Sequence, residues 1–546
     1  MNYKYIDLET DLSHKITWCI AEALDDDPPL LIHGADNILA AMANTYTQEM
    51  DNYVTPVAHN AIGFERHRFI EQGYNMQWDD TLVMSRLWNP SLEGGHSLSA
   101  WGKRLGHPKG EFDIERFDEG YCDEMGEYCK QDVVVLRHLH ETLKGLLKQD
   151  GFSARSVGLE HLTAAVTDDM CRRGFPFNTE DGEKIAVHHM HRMSAITREL
   201  QERWPPIVNE RYSEKTGKRL KDEVIEFNVG SRQQIATRLE LEGVKFTEFT
   251  PTGRPKIDEN TLSDLDHPAA HLISEYLSLM KMSGMVDSWL KNVDEDGRIR
   301  GYVNPCGTVT GRMTHSNPNL GQIPIRGGKM YRELFTASEG KVIVGADASG
   351  LELRMLAHYM QDDEYTHHLL EGDIHAYNQA QAGLETRDQA KTFIYAFLYG
   401  AGNAKIGSIV GGNAKDGAAL KAKFLDGIPK LRDLQAKVGR IAASGSLPGL
   451  DGRRVRVRHA HAALNTLLQS AGAIVMKQAM IKLPFIRDFE LLMHVHDEFQ
   501  GETEPGKEED VGNQLVNTIV QAGKDFELRC PLDGEWKSGL TWADTH

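Results

Sequence analysis

KVIVGADASGLELRMLAHYM, residues 341–360, is the stretch on which the reading of this chain turns. The apolar run from Lys341 to Ala346 has the Val and Ile density of a buried strand, and it ends on Asp347. A helical pattern follows at once, with Glu352, Leu353, Leu356 and Ala357. A carboxylate at the end of a buried strand is costly to desolvate unless it is paired or binds a metal. Taken alone, Asp347 also fits the cap region of the helix behind it. Three later stretches decide between these readings.

The first, GDIHAYNQ at 372–379, puts His375 in a polar setting that would be merely structural without its neighbours. The second is TRDQAKTFIYAFLYGAG, 386–402. Thr386 and Gln389 form a capping-box pattern that predicts a helix start, and Gly400 and Gly402 predict its end. Arg387, Lys391, Tyr395 and Tyr399 recur every four residues and drift slowly along one face. Two cations for phosphates and two aromatic rings for base and sugar suit a nucleoside triphosphate. An amphipathic helix with snorkelling cations has the same spacing. The third, LLMHVHDEFQGE at 491–502, predicts two strands with His496, Asp497 and Glu498 at or near their turn. Asp497 beside Asp347 then gives two carboxylates able to hold two Mg²⁺ ions, the requirement of in-line nucleotidyl transfer.

In this order DASGLELR, RDQAKTFIYAFLYGAG and HDE resemble motifs A, B and C of the family A DNA polymerases, with the wording of the T-seven-like phage branch. VNPCGTVTGRMTHSNPNLGQIP (303–324) and HAALNTLLQSAGA (461–473) match further blocks, and the resemblance runs with gaps from Asp7 to His546. It implies that Asp347 and Asp497 are the metal-binding catalytic pair, assisted by Glu498. Arg387, Lys391, Tyr395, His375 and Glu352 become nucleotide-binding residues. Among these, Lys391 is the general acid toward pyrophosphate, and Glu352 excludes a ribose 2′-hydroxyl. Arg312, Gln322, Gln469, His496 and Tyr399 become contacts to primer–template DNA.

Upstream, IDLET puts Asp7 and Glu9 on one face of an expected strand, HNAIGFERH follows at 59–67, and Tyr128 and Asp132 lie four apart on an expected helix. These segments resemble the three motifs of DnaQ-like 3′–5′ exonucleases, in which acids hold two metals and a tyrosine positions the attacking water. The implied set is Asp7, Glu9, Glu65, Tyr128 and Asp132, with metal on Asp7, Glu9 and Asp132. Where that family supplies Asp in the middle motif, this chain has Glu65, so a silent exonuclease is the alternative. A non-catalytic DNA-binding remnant is a further rival, opposed by the joint presence of Asp347, Lys391 and Asp497.

The fold expected is multidomain α/β. An RNase H-like exonuclease domain (1–150) precedes a right-hand polymerase (151–546). The latter has a helical thumb at about 179–300, an antiparallel palm sheet at about 301–372 and 445–546, and helical fingers at about 373–444. At 546 residues, 40% apolar and 26% charged, the chain suits several soluble domains. No apolar run suggests a membrane span, and six scattered cysteines suggest neither a zinc ribbon nor a disulfide framework. A net charge of −19 argues against a general nucleic-acid binder, yet Arg454, Arg456 and Arg458 alternate as a phosphate-tracking strand face would. Expected partners are primer–template DNA, dNTPs, a phage helicase-primase and a single-stranded DNA-binding protein, for a monomer in the bacterial host cytoplasm. Thioredoxin is not expected, because only a short charged segment, NERYSEKTGKRLKDE, stands where T-seven-like enzymes carry a long thumb insertion; it reads as a mobile loop.

Overall fold

The computed structural model describes residues 2–51, 53–324 and 327–545; His546, where the resemblance ends, lies outside them. The chain forms two units. One comprises Met1–Gly174, Gly301–Gln322 and Ala337–His546, and the other Phe175–Arg300 and Ile323–Thr336.

The first unit opens with a mixed sheet of β1 (Asn2–Thr10), β2 (Thr17–Leu24), β3 (Leu30–His33), β4 (Val54–Ala58) and β5 (Asp79–Asp80), in the order β3-β2-β1-β4-β5. β1 runs antiparallel to β2 and parallel to β4. Alternation along β1 sends Ile6 and Leu8 into one apolar layer with Ile20, Ile38 and Phe69. It sends Tyr5 to the other layer, which is packed by Cys129, Val133 and Leu136 of the long Asp123–Gln149 helix. Asp7 and Glu9 share the Tyr5 side. The helix ends at Gln149, Gly151 takes φ 75°, and a second helix, Ala154–Arg173, begins under a Ser153 cap within the same unit, which runs on to Gly174.

Later in the same unit, β6 (Val342–Ala348), β7 (Glu490–Val495), β8 (Glu498–Thr503) and β9 (Gly534–Gly539) form an antiparallel sheet in the order β7-β8-β6-β9. Val344 and Ala346 of β6 join a large core with Leu515 and Ile519 of the Glu508–Asp525 helix and Val475 and Ala479 of the Ala463–Met480 helix. Only His496 and Asp497 separate β7 from β8, and His496 takes φ 56°, as a tight hairpin turn of matching twist requires. The predicted helix after Thr386 is Arg387–Leu398, with both capping-box hydrogen bonds formed.

The second unit is built on the helices Thr179–Arg203 and Pro268–Lys291, with Ile196, Leu200, Trp204, Ile273 and Leu277 in its core. The charged segment expected as a loop is the connection of a hairpin: residues 210–222 join the short strands Ile207–Asn209 and Glu223–Ile225, with one bridge between Tyr212 and Arg219. Val208 and Val224 stay exposed on it. Among the described residues no helix is long and apolar enough to cross a membrane, and all six cysteines are free.

Candidate functional site

Two acidic centres lie in the first unit. At the first, Asp347 on β6 is in register with Glu498 on β8, and the Ala348 N–H donates to the Asp497 carbonyl oxygen at 3.1 Å. Strand end and hairpin turn thus meet, with Asp347 exposed and Asp497 half-buried. Burial, and then the Glu352 charge, push the Asp497 carboxyl up to about 6, while Arg312 pulls the other way. A carboxyl held that high exchanges its proton readily for a divalent cation. Glu498 is turned inward: its Oε1 accepts from the Trp542 indole N–H at 2.7 Å and from the Gln500 amide.

Glu352, on the Leu351–Met360 helix, accepts from the Tyr399 hydroxyl at 3.0 Å and from Arg312 at 3.2 Å, drawing three of the expected residues together. The Arg387–Leu398 helix buries Ala390, Phe393, Ile394 and Phe397 and exposes Arg387 and Lys391, with Tyr395 half-buried on the same stripe. His375, on the Ile374–Ala382 helix, lies 6.3 Å from Tyr395 between ring centroids. Its imidazole is held below its ordinary range by burial, then by the charges of Arg387 and Lys391. Arg312, Gln322 and His496 line one cleft of about 390 Å³ with His315, His494 and Lys477. Gln469 stands half-buried on the Ala463–Met480 helix, outside that cleft's lining.

The arginine strip is not a free strand face. Only Arg454–Arg456 is strand. Arg454 donates to the Asp150 carbonyl at 2.9 Å, Arg456 covers the Trp88 ring at 5.3 Å, and Arg458 donates to the Ser91 hydroxyl at 2.9 Å. These side chains clasp the N-terminal half of the unit and are committed to it.

The second centre gathers Asp7, Glu9, Glu65 and Asp132. Ligand atoms of Asp7, Glu9 and Cys129 lie within 4.8 Å of one another. Burial comes first in raising all four carboxyls above their ordinary range; mutual repulsion adds to this for Glu9, Glu65 and Asp132. One buried oxygen on each of Asp7, Glu65 and Asp132 has no hydrogen-bond partner. Acceptors orphaned in this way, aimed into one acidic pocket, fit a divalent cation.

Sequence reasoning missed two residues here. Lys109 forms an ion pair with Asp132 and lies 4.6 Å over the Tyr128 ring, so it joins the expected tyrosine to the acids. Asp80, fully buried, accepts from the N–H groups of Asn60 and Ile62 at 3.0 Å and of Leu82 at 2.8 Å. It thereby fixes the turn that leads into the Glu65–Glu71 helix. Lys109 had no sequence signal, since it acts through contacts remote in the chain; Asp80, standing directly before the Thr81–Trp88 helix that it caps, carried a local N-cap signal.

Residues 192–544 match the model of DNA polymerase family A. This chain belongs to that family. It is 35% identical to the DNA-directed DNA polymerases of Enterobacteria phage T3 and Escherichia phage T7, over 86% of this chain and 87% of each relative. It is 32% identical to the thermostable DNA polymerase I of Thermus filiformis, over 61% of this chain and 44% of that one. The POL domain of Pol1 from M. smegmatis, solved in complex with DNA primer-template and dNTP, superposes with a TM-score of 0.81 at 20% identity, covering 100% of this chain and 96% of that one. The chain is therefore a DNA-directed DNA polymerase, a template-dependent nucleotidyltransferase of a metal-dependent family with a mixed α/β fold.

Proposed function

We propose that the chain extends a DNA primer at the Asp347–Asp497 centre and trims it at the Asp7–Glu9–Glu65–Asp132 centre, as a phage replicative polymerase with 3′–5′ proofreading. The observation that carries the first half is the meeting of Asp347 and Asp497 at one end of the antiparallel sheet. Asp347 and Asp497 would hold two Mg²⁺ ions, which when bound would supply Lewis-acid activation of the primer 3′-hydroxyl and charge neutralisation at the pyrophosphate. Arg387 and Lys391 bind the triphosphate, with Lys391 placed to give the leaving group its proton. Tyr395 and His375 flank the nucleotide. Glu352, held by Tyr399 and Arg312, closes the site to a 2′-hydroxyl. Arg312, Gln322 and His496 line the cleft for the primer–template, with Gln469 reaching DNA from its helix. The Phe175–Arg300 segment serves as thumb, and the Arg387–Leu398 helix belongs to the fingers.

The second half rests on the orphaned oxygens of Asp7, Glu65 and Asp132, which suit Mg²⁺. A cleft of about 870 Å³ lined by His59, Arg86, Lys109, Phe112, Tyr128 and Tyr302 offers cations and aromatic faces to a frayed single strand. Here Glu65 takes the part that Asp takes in DnaQ-like enzymes, one methylene longer.

The test is a primer–template with a mismatched 3′ end in Mg²⁺, with and without dNTPs, alongside Asp7→Ala and Asp347→Ala. Shortening without dNTPs that only Asp7→Ala stops supports proofreading. Extension of matched primers with no trimming of mismatched ones leaves the N-terminal sheet a scaffold. A wild-type chain that extends nothing overturns the assignment of Asp347 and Asp497.

A further inference from the structure

The two triphosphate-binding helices begin close together, one on the Arg387 cation and the other beside His375. Arg387 is the first residue of its helix, and His375 is the second residue of the Ile374–Ala382 helix. Helix N-termini carry partial positive charge, so cations there are disfavoured unless an anion answers them. One carboxylate answers both. Asp373 Oδ1 accepts from the backbone N–H groups of His375 at 3.0 Å and Ala376 at 3.1 Å, which caps the helix bearing His375. Asp373 Oδ2 accepts from Arg387 Nε at 2.7 Å.

An exposed ion pair of this kind adds little to stability. Its geometry has a different consequence. A guanidinium gripped at Nε cannot swing away, yet its two terminal nitrogens still point outward in the fork that matches a phosphate. The same carboxylate fixes the helix start from which His375 projects.

We propose that Asp373 is a positioning residue for nucleotide binding, orienting Arg387 through Nε and His375 through the helix cap. The inference rests on the reading of Arg387 as a triphosphate ligand. The Arg387 grip draws the Asp373 carboxyl down to about 2, so the carboxylate is charged at every working pH. The orienting role is therefore independent of pH.

Asparagine is as good a helix cap as aspartate but cannot form the ion pair. Asp373→Asn thus removes the grip on Arg387 and keeps the helix start. Steady-state single-nucleotide incorporation is measured for Asp373→Asn, Arg387→Ala and the double variant, with primer–template affinity as a check on folding. Expected are a KM for dNTP at least fivefold higher in Asp373→Asn, a kcat changed much less, and DNA affinity unchanged. In the Arg387→Ala background the Asn substitution should add nothing. A KM that falls in Asp373→Asn shows that the carboxylate competes with the nucleotide and overturns the proposal. So does an equal Asn effect with and without Arg387. If Arg387→Ala itself leaves KM unchanged, what fails is the triphosphate reading on which the proposal stands.

Discussion

Glu498 is bonded to Trp542, indole Nε1 to carboxylate Oε1 at 2.7 Å, although it follows Asp497 directly and faces Asp347 across the sheet. Period-2 alternation separates these neighbours: Asp497 belongs to the turn, while Glu498 opens β8 with its side chain buried. The two acids should therefore differ sharply on mutation. Asp497→Asn removes a carboxylate proposed to bind metal and is expected to lower the single-turnover incorporation rate by about a thousandfold or more. Glu498→Gln keeps an acceptor for Trp542 and is expected to stay within about tenfold of the parent. Rapid-quench incorporation of one dNTP measures both. Equal damage from the two would place Glu498 among the metal ligands.

Asp497 also gives the pH dependence a direction. Its carboxyl stands at about 6, against roughly 3.9 for an unfolded chain. Cation binding must displace the proton below pH 6, so the Mg²⁺ concentration for half-maximal extension should rise about tenfold per pH unit there. Stability moves the opposite way. Between roughly pH 4 and 6 the folded state binds more protons than the unfolded one, so stability falls as pH rises and the loss is complete above about pH 6. Two units correspond to about 3 kcal/mol. Asp497→Asn is therefore expected to melt a few degrees higher than the parent at pH 8 in EDTA, with the gain gone at pH 4.5. A lower melting temperature at pH 8 contradicts this.

Local pattern made the proposed polymerase centre legible in the sequence. The run into Asp347, the Thr386–Gln389 capping box and the hairpin around Asp497 each declare themselves within a dozen residues, and the structure forms all three. Other features depend on what packs against a segment. The Arg454–Arg458 strip reads as a phosphate surface until Trp88, Ser91 and Asp150 are seen beneath it. Lys109 sits in an unremarkable Pro-Lys-Gly loop, and only the fold carries it to Asp132. The charged run after Trp204 is the loop it reads as, and the three-residue strands that pair at its ends, Ile207–Asn209 and Glu223–Ile225, are too short to announce themselves. The inward turn of Glu498 was hidden for a subtler reason, since one residue of register decides whether a carboxylate faces the turn or the core.

Tyr395 is half-buried beside Tyr399, with ring centroids 6.4 Å apart. Burial, then the charges of Glu352 and Asp497, raise its hydroxyl above the ordinary tyrosine range. It therefore stays protonated at neutral and moderately alkaline pH and offers an O–H donor near the expected nucleotide. The resemblance of RDQAKTFIYAFLYGAG to motif B implies that a tyrosine at this place goes with acceptance of dideoxynucleotides. Tyr395→Phe is expected to raise the ratio of kcat/KM for dNTP over ddNTP by at least tenfold, with dNTP extension little changed. An unchanged ratio refutes the assignment.

The N-terminal cluster sets four raised carboxyls against one ammonium, that of Lys109, which relieves Asp7 and Asp132. Lys109→Met leaves the acids without this counterion, so the melting temperature in EDTA should fall, and Mg²⁺ should restore more of it than in the parent. Glu65 gives a sharper test. It opens a short helix, its side chain is buried, and one of its oxygens is unpartnered while Asp7 repels it. A buried acid with an orphaned oxygen beside another acid is a liability unless a cation arrives, so Glu65→Gln should stabilise the metal-free chain. The same change should slow trimming of a mismatched primer by about a hundredfold and leave matched-primer extension alone. Trimming at the parent rate in Glu65→Gln would remove Glu65 from the metal set and leave Asp7, Glu9 and Asp132 to hold any cation there without it.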